Sequence, residues 1–196
     1  MSTIDADSDR IEKAQAEPEM GDLLVAYLNQ LGVEYVFGVP GGATEPLYNA
    51  LARSERQGRV RAVVARHETG AAFMADGYAR VTAKPGVCFV ITGPGLTNIA
   101  TAMGQALGDS IPMLVISTVN GGSTKEQGCL HAMPRQADII RPLTVASFQL
   151  NANDSVTETI TQVFATLDAR NGTPLGPVHL QIPLDVIGQL ANDETV

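Results

Sequence analysis

Two uninterrupted apolar runs restrict the fold of this chain more than any other feature. Val87-Cys88-Phe89-Val90-Ile91 and Met113-Leu114-Val115-Ile116 show no alternation of polar and apolar residues. A strand reads this way when helices cover both of its faces, the situation inside a parallel sheet. Around these runs the chain alternates short strand-like and helix-like segments. Strands are expected over 34–38, 60–64, 87–91, 113–117, 144–148 and 177–182, and helices over 44–53, 68–80, 96–107, 136–140 and 156–169. An additional helix opens the series after Gly21, with Leu24, Tyr27, Leu28 and Leu31 on one face, Asp22 favouring its start and Gly32 its stop. Such alternation builds βαβ units. The expected fold class is α/β: a three-layer, doubly wound domain around a central, mainly parallel sheet.

The 196 residues suffice for one domain with a buried core, and no internal linker divides them. Residues 1–20 are polar and acidic and read as a disordered leader, not a signal peptide. The domain is expected over 21–189, followed by a linker-like tail over 190–196. The segment 120–128 is Gly-rich, lacks periodicity and reads as a mobile loop. Lys and Arg total 13 against 21 Asp and Glu, a net charge of −8 without any basic run, which argues against a nucleic-acid partner. No apolar run approaches the length of a membrane span, so a cytoplasmic location is expected. The two cysteines, Cys88 and Cys129, form neither a disulfide framework nor, with the three histidines, a zinc-type cluster. No metal site is expected in this chain.

Ligands of open parallel sheets bind at the carboxyl ends of the strands. Three segments fall there: Gly38-Val39-Pro40-Gly41-Gly42-Ala43, Arg66-His67-Glu68-Thr69-Gly70 and Thr92-Gly93-Pro94-Gly95-Leu96-Thr97-Asn98. Each has glycines that let backbone approach a ligand and each precedes a helix N-terminus, yet plain βα turns need glycine too. Neither a Gly-x-Gly-x-x-Gly fingerprint with its acidic residue nor a Gly-x-x-x-x-Gly-Lys phosphate loop is present. Glu68 has two readings. It is a first-turn carboxylate stabilised by the helix dipole, or a general acid/base whose pKa desolvation would raise. His131, beyond the Gly-rich segment, is either structural or exposed, or a proton donor or substrate clamp; His67 and His179 are less suggestive, His179 reading as structural within its strand; Asp109 and Ser110 read as structural, and Tyr78 and Arg80 as support for their helix or an interface.

Taken together and in this order, with Asp76-Gly77-Tyr78-Ala79-Arg80, Ala106-Leu107-Gly108-Asp109-Ser110-Ile111-Pro112 and Gly176-Pro177-Val178-His179-Leu180-Gln181-Ile182-Pro183, the segments identify a resemblance. From about Gly21 to Gln189 the chain resembles the N-terminal, pyrimidine-binding domain of thiamine diphosphate enzymes of the acetolactate synthase and 2-oxo-acid decarboxylase group. The resemblance implies that Glu68 hydrogen-bonds the pyrimidine ring nitrogen of thiamine diphosphate and promotes the imino tautomer that deprotonates the thiazolium carbon. It implies that Pro40, Gly41, Ala43, Thr92, Pro94 and Asn98 line the cofactor or shape its pocket. The group's acetolactate synthases carry a Phe-Gln pair where this chain is read as Leu130-His131; a histidine there implies a decarboxylase or another carboligase, with His131 as proton donor.

The family binds Mg2+ and the diphosphate through a Gly-Asp-Gly motif on another domain, and this sequence contains no Gly-Asp-Gly. The resemblance therefore implies half a site, catalytically silent alone, completed by a diphosphate-binding domain in the same or another chain, with a 2-oxo acid as substrate and a homodimer as the assembly. Flavin (FAD) binding would involve a central domain and is left open. Two alternatives stand beside this reading: a separately encoded subunit of a sulfopyruvate- or phosphonopyruvate-type decarboxylase, and a non-catalytic binding module on the same fold.

Overall fold

The computed structural model describes residues 18–121, 128–133, 135–169, 172 and 174–189. Residues 1–17 of the expected leader, 122–127 of the expected loop and the tail 190–196 lie outside the described residues. In chain order the elements are α1 (Met20–Gln30), β1 (Tyr35–Gly38), a 3-10 turn (Gly42–Thr44), α2 (Glu45–Arg56), β2 (Arg61–Val64), α3 (Glu68–Thr82) and β3 (Gly86–Val90). These are followed by α4 (Pro94–Asn98), α5 (Ala100–Gly108), β4 (Met113–Val119), α6 (Gln136–Ile140), β5 (Ala146–Gln149), α7 (Val156–Leu167), β6 (Pro177–Pro183) and α8 (Leu184–Ile187).

The six strands form one sheet in the order β2-β1-β3-β4-β6-β5. Every neighbouring pair is parallel, so the sheet is wholly rather than mainly so. The uninterrupted apolar runs have a direct explanation. Val87, Phe89, Leu114 and Ile116 enter the core beneath α1, α2 and α7. Cys88, Val90, Met113 and Val115 enter a second core beneath α3, α4 and α5. Both faces of β3 and β4 are buried, so an alternating pattern would have left polar groups without water. On β6 the pattern is split: Val178, Leu180 and Ile182 join the first core, while His179 and Gln181 are buried on the opposite face.

Helix α1 opens earlier than the sequence pattern implied. Met20 is 4% exposed and its N–H donates to the Gln189 carbonyl at 2.9 Å. Asp22 Oδ2 accepts from the Glu19 N–H at 3.1 Å, and the same carboxylate holds Arg53 of α2 at 2.7 Å. Leu31, expected on the buried stripe, is the cap residue and is 46% exposed. The expected single helix over 96–107 is two helices, broken at Ile99. The break coincides with a tertiary contact. The Asn98 carbonyl accepts from Thr69 Oγ1 of α3, a side-chain partner on another helix in place of helix backbone.

Helix α3 lies close on the sheet because its inner face is Ala71, Ala72, Ala75 and Ala79. Asp76, 3% exposed, is held in a two-bond clasp by Arg80 at 2.8 and 3.2 Å, and Arg80 reaches on to Asp109 at 2.7 Å. The reading of Arg80 and Asp109 as structural agrees with this bridge from α3 to the end of α5.

The closeness of α3 to β3 yields a test. A Cβ at Gly86 would stand 2.1 Å from the Ala75 carbonyl oxygen, whereas one at Gly77 meets nothing within 4 Å. Gly86→Ala should destabilise by about 1–3 kcal/mol through overpacking. Gly77→Ala, in mid-helix, should stabilise by about 0.5–1 kcal/mol. Urea midpoints of the two variants should therefore move in opposite directions.

Candidate functional site

The crevice that a doubly wound sheet offers a ligand lies where successive crossovers leave on opposite faces. Here that point is between β1 and β3. From β1 the chain passes to α2 on one face, and from β3 to α4 on the other. The turns after β1 and β3, and the start of α3 after β2, meet at this crevice. Ile91 is their common neighbour: a Cβ at Gly41 would stand 3.2 Å from its Cδ1, and one at Gly95 would stand 2.5 Å from its Cγ2. The same Cβ at Gly95 would lie 3.7 Å from Glu68 Oε1. Glycine is thus required at 95 by the close approach of backbone to side chains.

Glu68 is the first residue of α3 and is half-buried. His67 caps the helix, its Nδ1 accepting the Thr69 N–H at 3.2 Å. Glu68 has a specific partner that its sequence neighbours did not reveal: Asn98 Nδ2 donates to Glu68 Oε2 at 2.9 Å, across 30 residues of chain. Asn98 is itself fixed, because its carbonyl accepts from Thr69 Oγ1. One carboxylate oxygen is engaged and the other, Oε1, faces Gly95.

Next to these residues a cavity of about 360 Å3 is lined by Pro40, Gly41, Gly42, Glu45, Tyr48 and Asn49. Gly41 opens the 3-10 turn, its N–H donating to Thr44 Oγ1 at 3.0 Å. Pro40 is exposed and Ala43 half-buried on the same turn. The Tyr48 hydroxyl is buried directly under Gly38 and finds no hydrogen-bond partner among the described residues. Burial, then the neighbouring Cys88 and Glu68, push its pKa up, so the phenol stays protonated. A larger cavity, about 610 Å3, lies between α1 and α2 and contains none of the expected catalytic or cofactor-binding residues.

The turn after β3 faces inward. Thr92 is 1% exposed; its hydroxyl donates to Gln136 Oε1 at 3.0 Å and its N–H to Thr118 Oγ1 at 3.2 Å. Thr92 thus shapes the turn rather than offering its hydroxyl to a ligand, while Pro94 is exposed. Gly93 adopts φ +65°, and a Cβ there would stand 2.5 Å from the His131 carbonyl oxygen. His131, half-buried and itself at φ +60°, is therefore brought against this turn by its backbone. Leu130 beside it is 80% exposed.

Sequence reasoning missed Gln136, which is fully buried and joins the turn to β4 and β6. A glutamine at the start of a short helix belongs to no motif, and nothing local marks it. Behind it sits His179, with Nε2 2.8 Å from Ser117 Oγ and Nδ1 2.9 Å from Ser147 Oγ. His179 thereby braces β6 against β4 and β5, and Cys88 is a buried free thiol. Among the described residues no group of three His, Cys, Asp or Glu could hold a metal ion.

Among the described residues the structure therefore presents a carboxylate with one oxygen hydrogen-bonded to Asn98 and the other toward Gly95, set among glycine turns at the mouth of a parallel sheet, and no cluster to bind a cation. Residues 18–139 match the family described as thiamine pyrophosphate enzyme, N-terminal TPP binding domain. The chain belongs to that family. It is 48% identical over 169 residues to a probable 2-ketoarginine decarboxylase of Pseudomonas aeruginosa, a match covering 85% of this chain and 29% of that protein. It is 37% identical over 174 residues to the acetolactate synthase large subunit of Lactococcus lactis, covering 87% and 28%. It is 35% identical over 179 residues to the chloroplastic acetolactate synthase 3 of Brassica napus, covering 91% and 26%. The chain spans less than a third of the length of these relatives.

The buried His179 gives the site's surroundings a pH dependence. Burial pushes its pKa down from 6.5 to about 4, so the native state resists a proton that the unfolded chain accepts. Stability should therefore fall as pH drops from 6.5 toward 4, with a steepest slope of about 1.4 kcal/mol per pH unit. Urea denaturation between about pH 6 and 5, above most carboxylate titrations, should show a shallower slope in His179→Gln by roughly one proton.

Proposed function

We propose that this chain is the pyrimidine-binding half of a thiamine diphosphate-dependent enzyme that decarboxylates, or ligates after decarboxylation, a 2-oxo acid. The observation that carries the reading is the Asn98–Glu68 hydrogen bond beside the glycine turns at the β1/β3 crevice. The residues suit a flat nitrogen heterocycle. Gly95, which admits no Cβ beside Ile91, brings backbone close to the carboxylate, and Oε1 of Glu68 remains available to share a proton with a ring nitrogen.

Asn98 donates to Oε2 and so fixes which carboxylate oxygen meets the ligand. Thr69 in turn fixes Asn98. Thiamine diphosphate supplies the electron sink for decarboxylation; this chain supplies orientation and proton control. Glu68 holds and moves a proton at Oε1. His131, set against Gly93, is the proposed proton donor on the substrate side.

The diphosphate and its Mg2+ are assigned to a separate diphosphate-binding domain, in the same or another chain, since no cation cluster exists among the described residues. The half-site is inactive without that domain. A homodimer is the proposed assembly, in keeping with the exposed apolar residues Phe73, Met74 and Val81 along the outer side of α3. The chain works in the cytoplasm on this reading; among the described residues no helix is long and apolar enough to cross a membrane. Decarboxylation is favoured over acetolactate synthesis by the 48% identity to the probable 2-ketoarginine decarboxylase, against 35–37% to the synthases.

The test uses the chain assembled with its diphosphate-binding domain, thiamine diphosphate and Mg2+, assayed for carbon dioxide release across a panel of 2-oxo acids that includes 2-ketoarginine. Glu68→Gln should lower turnover by about 10²–10⁴-fold, the usual contribution of a positioned acid or base. Parent-like turnover in the variant would refute the assignment.

A further inference from the structure

We infer that Gln136 is the positioning residue of the site: its side-chain amide sets the left-handed Thr92–Gly93 turn and, through it, the seat of His131. The inference rests on the reading of that turn as a wall of the thiamine diphosphate pocket. Gln136 is 0% exposed and is the first residue of α6. Its Oε1 accepts twice, from the Gly93 N–H at 2.8 Å and from Thr92 Oγ1 at 3.0 Å. Its Nε2 donates to the Thr118 carbonyl at 2.8 Å, to Gln181 Oε1 at 2.9 Å and to Ser117 Oγ at 3.3 Å. An amide has two acceptor lone pairs and two N–H donors: the oxygen is filled by Gly93 and Thr92, and the two N–H groups by Thr118 and Gln181, with Ser117 Oγ at 3.3 Å sharing one of them.

The orientation of the amide is dictated by its neighbours. The Gly93 N–H can only donate and the Thr118 carbonyl can only accept, so oxygen must face β3 and nitrogen must face β4. No other natural side chain of this length offers both at once at neutral pH. Glutamate has no donor for Thr118 unless it is protonated, and methionine fills the space with neither group.

The geometry gives this network a consequence at the crevice. Gly93 is held at φ +65° by the bond to Gln136, and the His131 carbonyl packs on its Cα, with room for no Cβ. Gln136 also lies five residues after His131 in the chain. It therefore anchors both sides of the contact: the turn on β3 through its side chain, and the His131 segment through its own backbone. Releasing the amide frees the turn that walls the pocket without touching Glu68 or Asn98.

The titratable groups around Gln136 are few. On β6, His179 lies behind Ser117 and is kept neutral by a pKa near 4. On α6 itself, Asp138 is paired with Arg135 at 2.7 Å and with Arg141 at 3.6 Å, outside the buried network. Near the end of β4, Asp185 abuts Gly121. The residues that bond Gln136 directly are all uncharged.

The experiment compares parent, Gln136→Met, Gln136→Glu and Thr92→Val in the complete enzyme. Three readouts are used: the Kd of thiamine diphosphate by isothermal titration, hydrogen exchange of the peptide containing Gly93, and Glu68-dependent turnover. Gln136→Met should raise the Kd about tenfold or more and speed exchange at Gly93 while β3 and β4 stay protected. Thr92→Val, which removes one of the two accepted bonds, should raise the Kd less. Gln136→Glu supplies the signature that a merely structural role would not give. At about pH 5.5 a buried, protonated acid can donate to Thr118 and accept from Gly93, so its Kd should approach the parent's, and the gap should widen toward about pH 8. A parent-like Kd in Gln136→Met, or a ratio of Gln136→Glu to parent that does not change with pH, overturns the inference. Should Gln136→Met not fold, the pH-dependent ratio of Gln136→Glu decides alone. If the parent fails to bind thiamine diphosphate, or Glu68→Gln retains turnover, the functional reading itself fails; if those hold and the Gln136 variants bind as the parent does, only this inference is lost.

Discussion

The hydrogen bond from Asn98 to Glu68 ties the first turn of α3 to the break between α4 and α5, and the arrangement of the crevice depends on it. A continuous helix over this stretch would turn the Asn98 side chain with the helix and direct its carbonyl down the axis. Broken at Ile99, the chain leaves both polar ends of Asn98 facing α3, where Thr69 and Glu68 take them up. The helix break and the orientation of the carboxylate are therefore one feature seen from two sides. A half-buried carboxylate needs such a partner, because desolvation without hydrogen bonds is costly.

The sheet supplies the rigid frame for this contact. β3 and β4 are enclosed on both faces and their side chains divide cleanly between two cores. Backbone at their carboxyl ends has little freedom to shift, so the turns that leave them inherit fixed positions. The polar network under the Thr92 turn extends that rigidity. From Thr92 it passes through Gln136 to Gln181 and on to Gln149, crossing the sheet from β3 to β5 with each donor matched to an acceptor. Buried polar chains of this kind rigidify only when every member is satisfied. The two serines flanking His179 close the remaining side of the network.

How much of this was legible in the sequence follows from the range of each interaction. The strand at 87–91 was legible because two covered faces force a continuous apolar run, and the strand at 113–117 for the same reason; β4 runs two residues further, into Thr118 and Val119, where polar and apolar residues are both buried. Glu68 was visible as a first-turn carboxylate, but its partner lies 30 residues away and only pairing of the β-strands brings the two together. The break at Ile99 was not legible, since small residues continue on both sides of it and no Gly or Pro marks the point. Gln136 was invisible for the same physical reason as the Asn98 contact. Its five hydrogen bonds reach residues 18 to 45 positions distant, and a local pattern carries no trace of them.

Helix α3 joins the chemistry to the outside of the molecule. Its inner face is alanine, which lets the helix settle on β1 and β3 close enough that only glycine fits at 86. Its outer face carries Phe73 and Met74, each 37% exposed, and Val81, 87% exposed, with Gly70 and Gly77 leaving open space between them. An element with small residues inward and large apolar residues outward inverts the usual pattern of a surface helix. The inversion suits a helix that sits deep in its own domain, sets Glu68 at the crevice and keeps apolar surface on its outer side. Because Glu68 begins this helix and Val81 nearly ends it, cover on the outer face would lie along the same rigid rod as the carboxylate. One helix thus carries both the carboxylate and the exposed apolar face, with the Asp76–Arg80–Asp109 bridge holding its far end to α5.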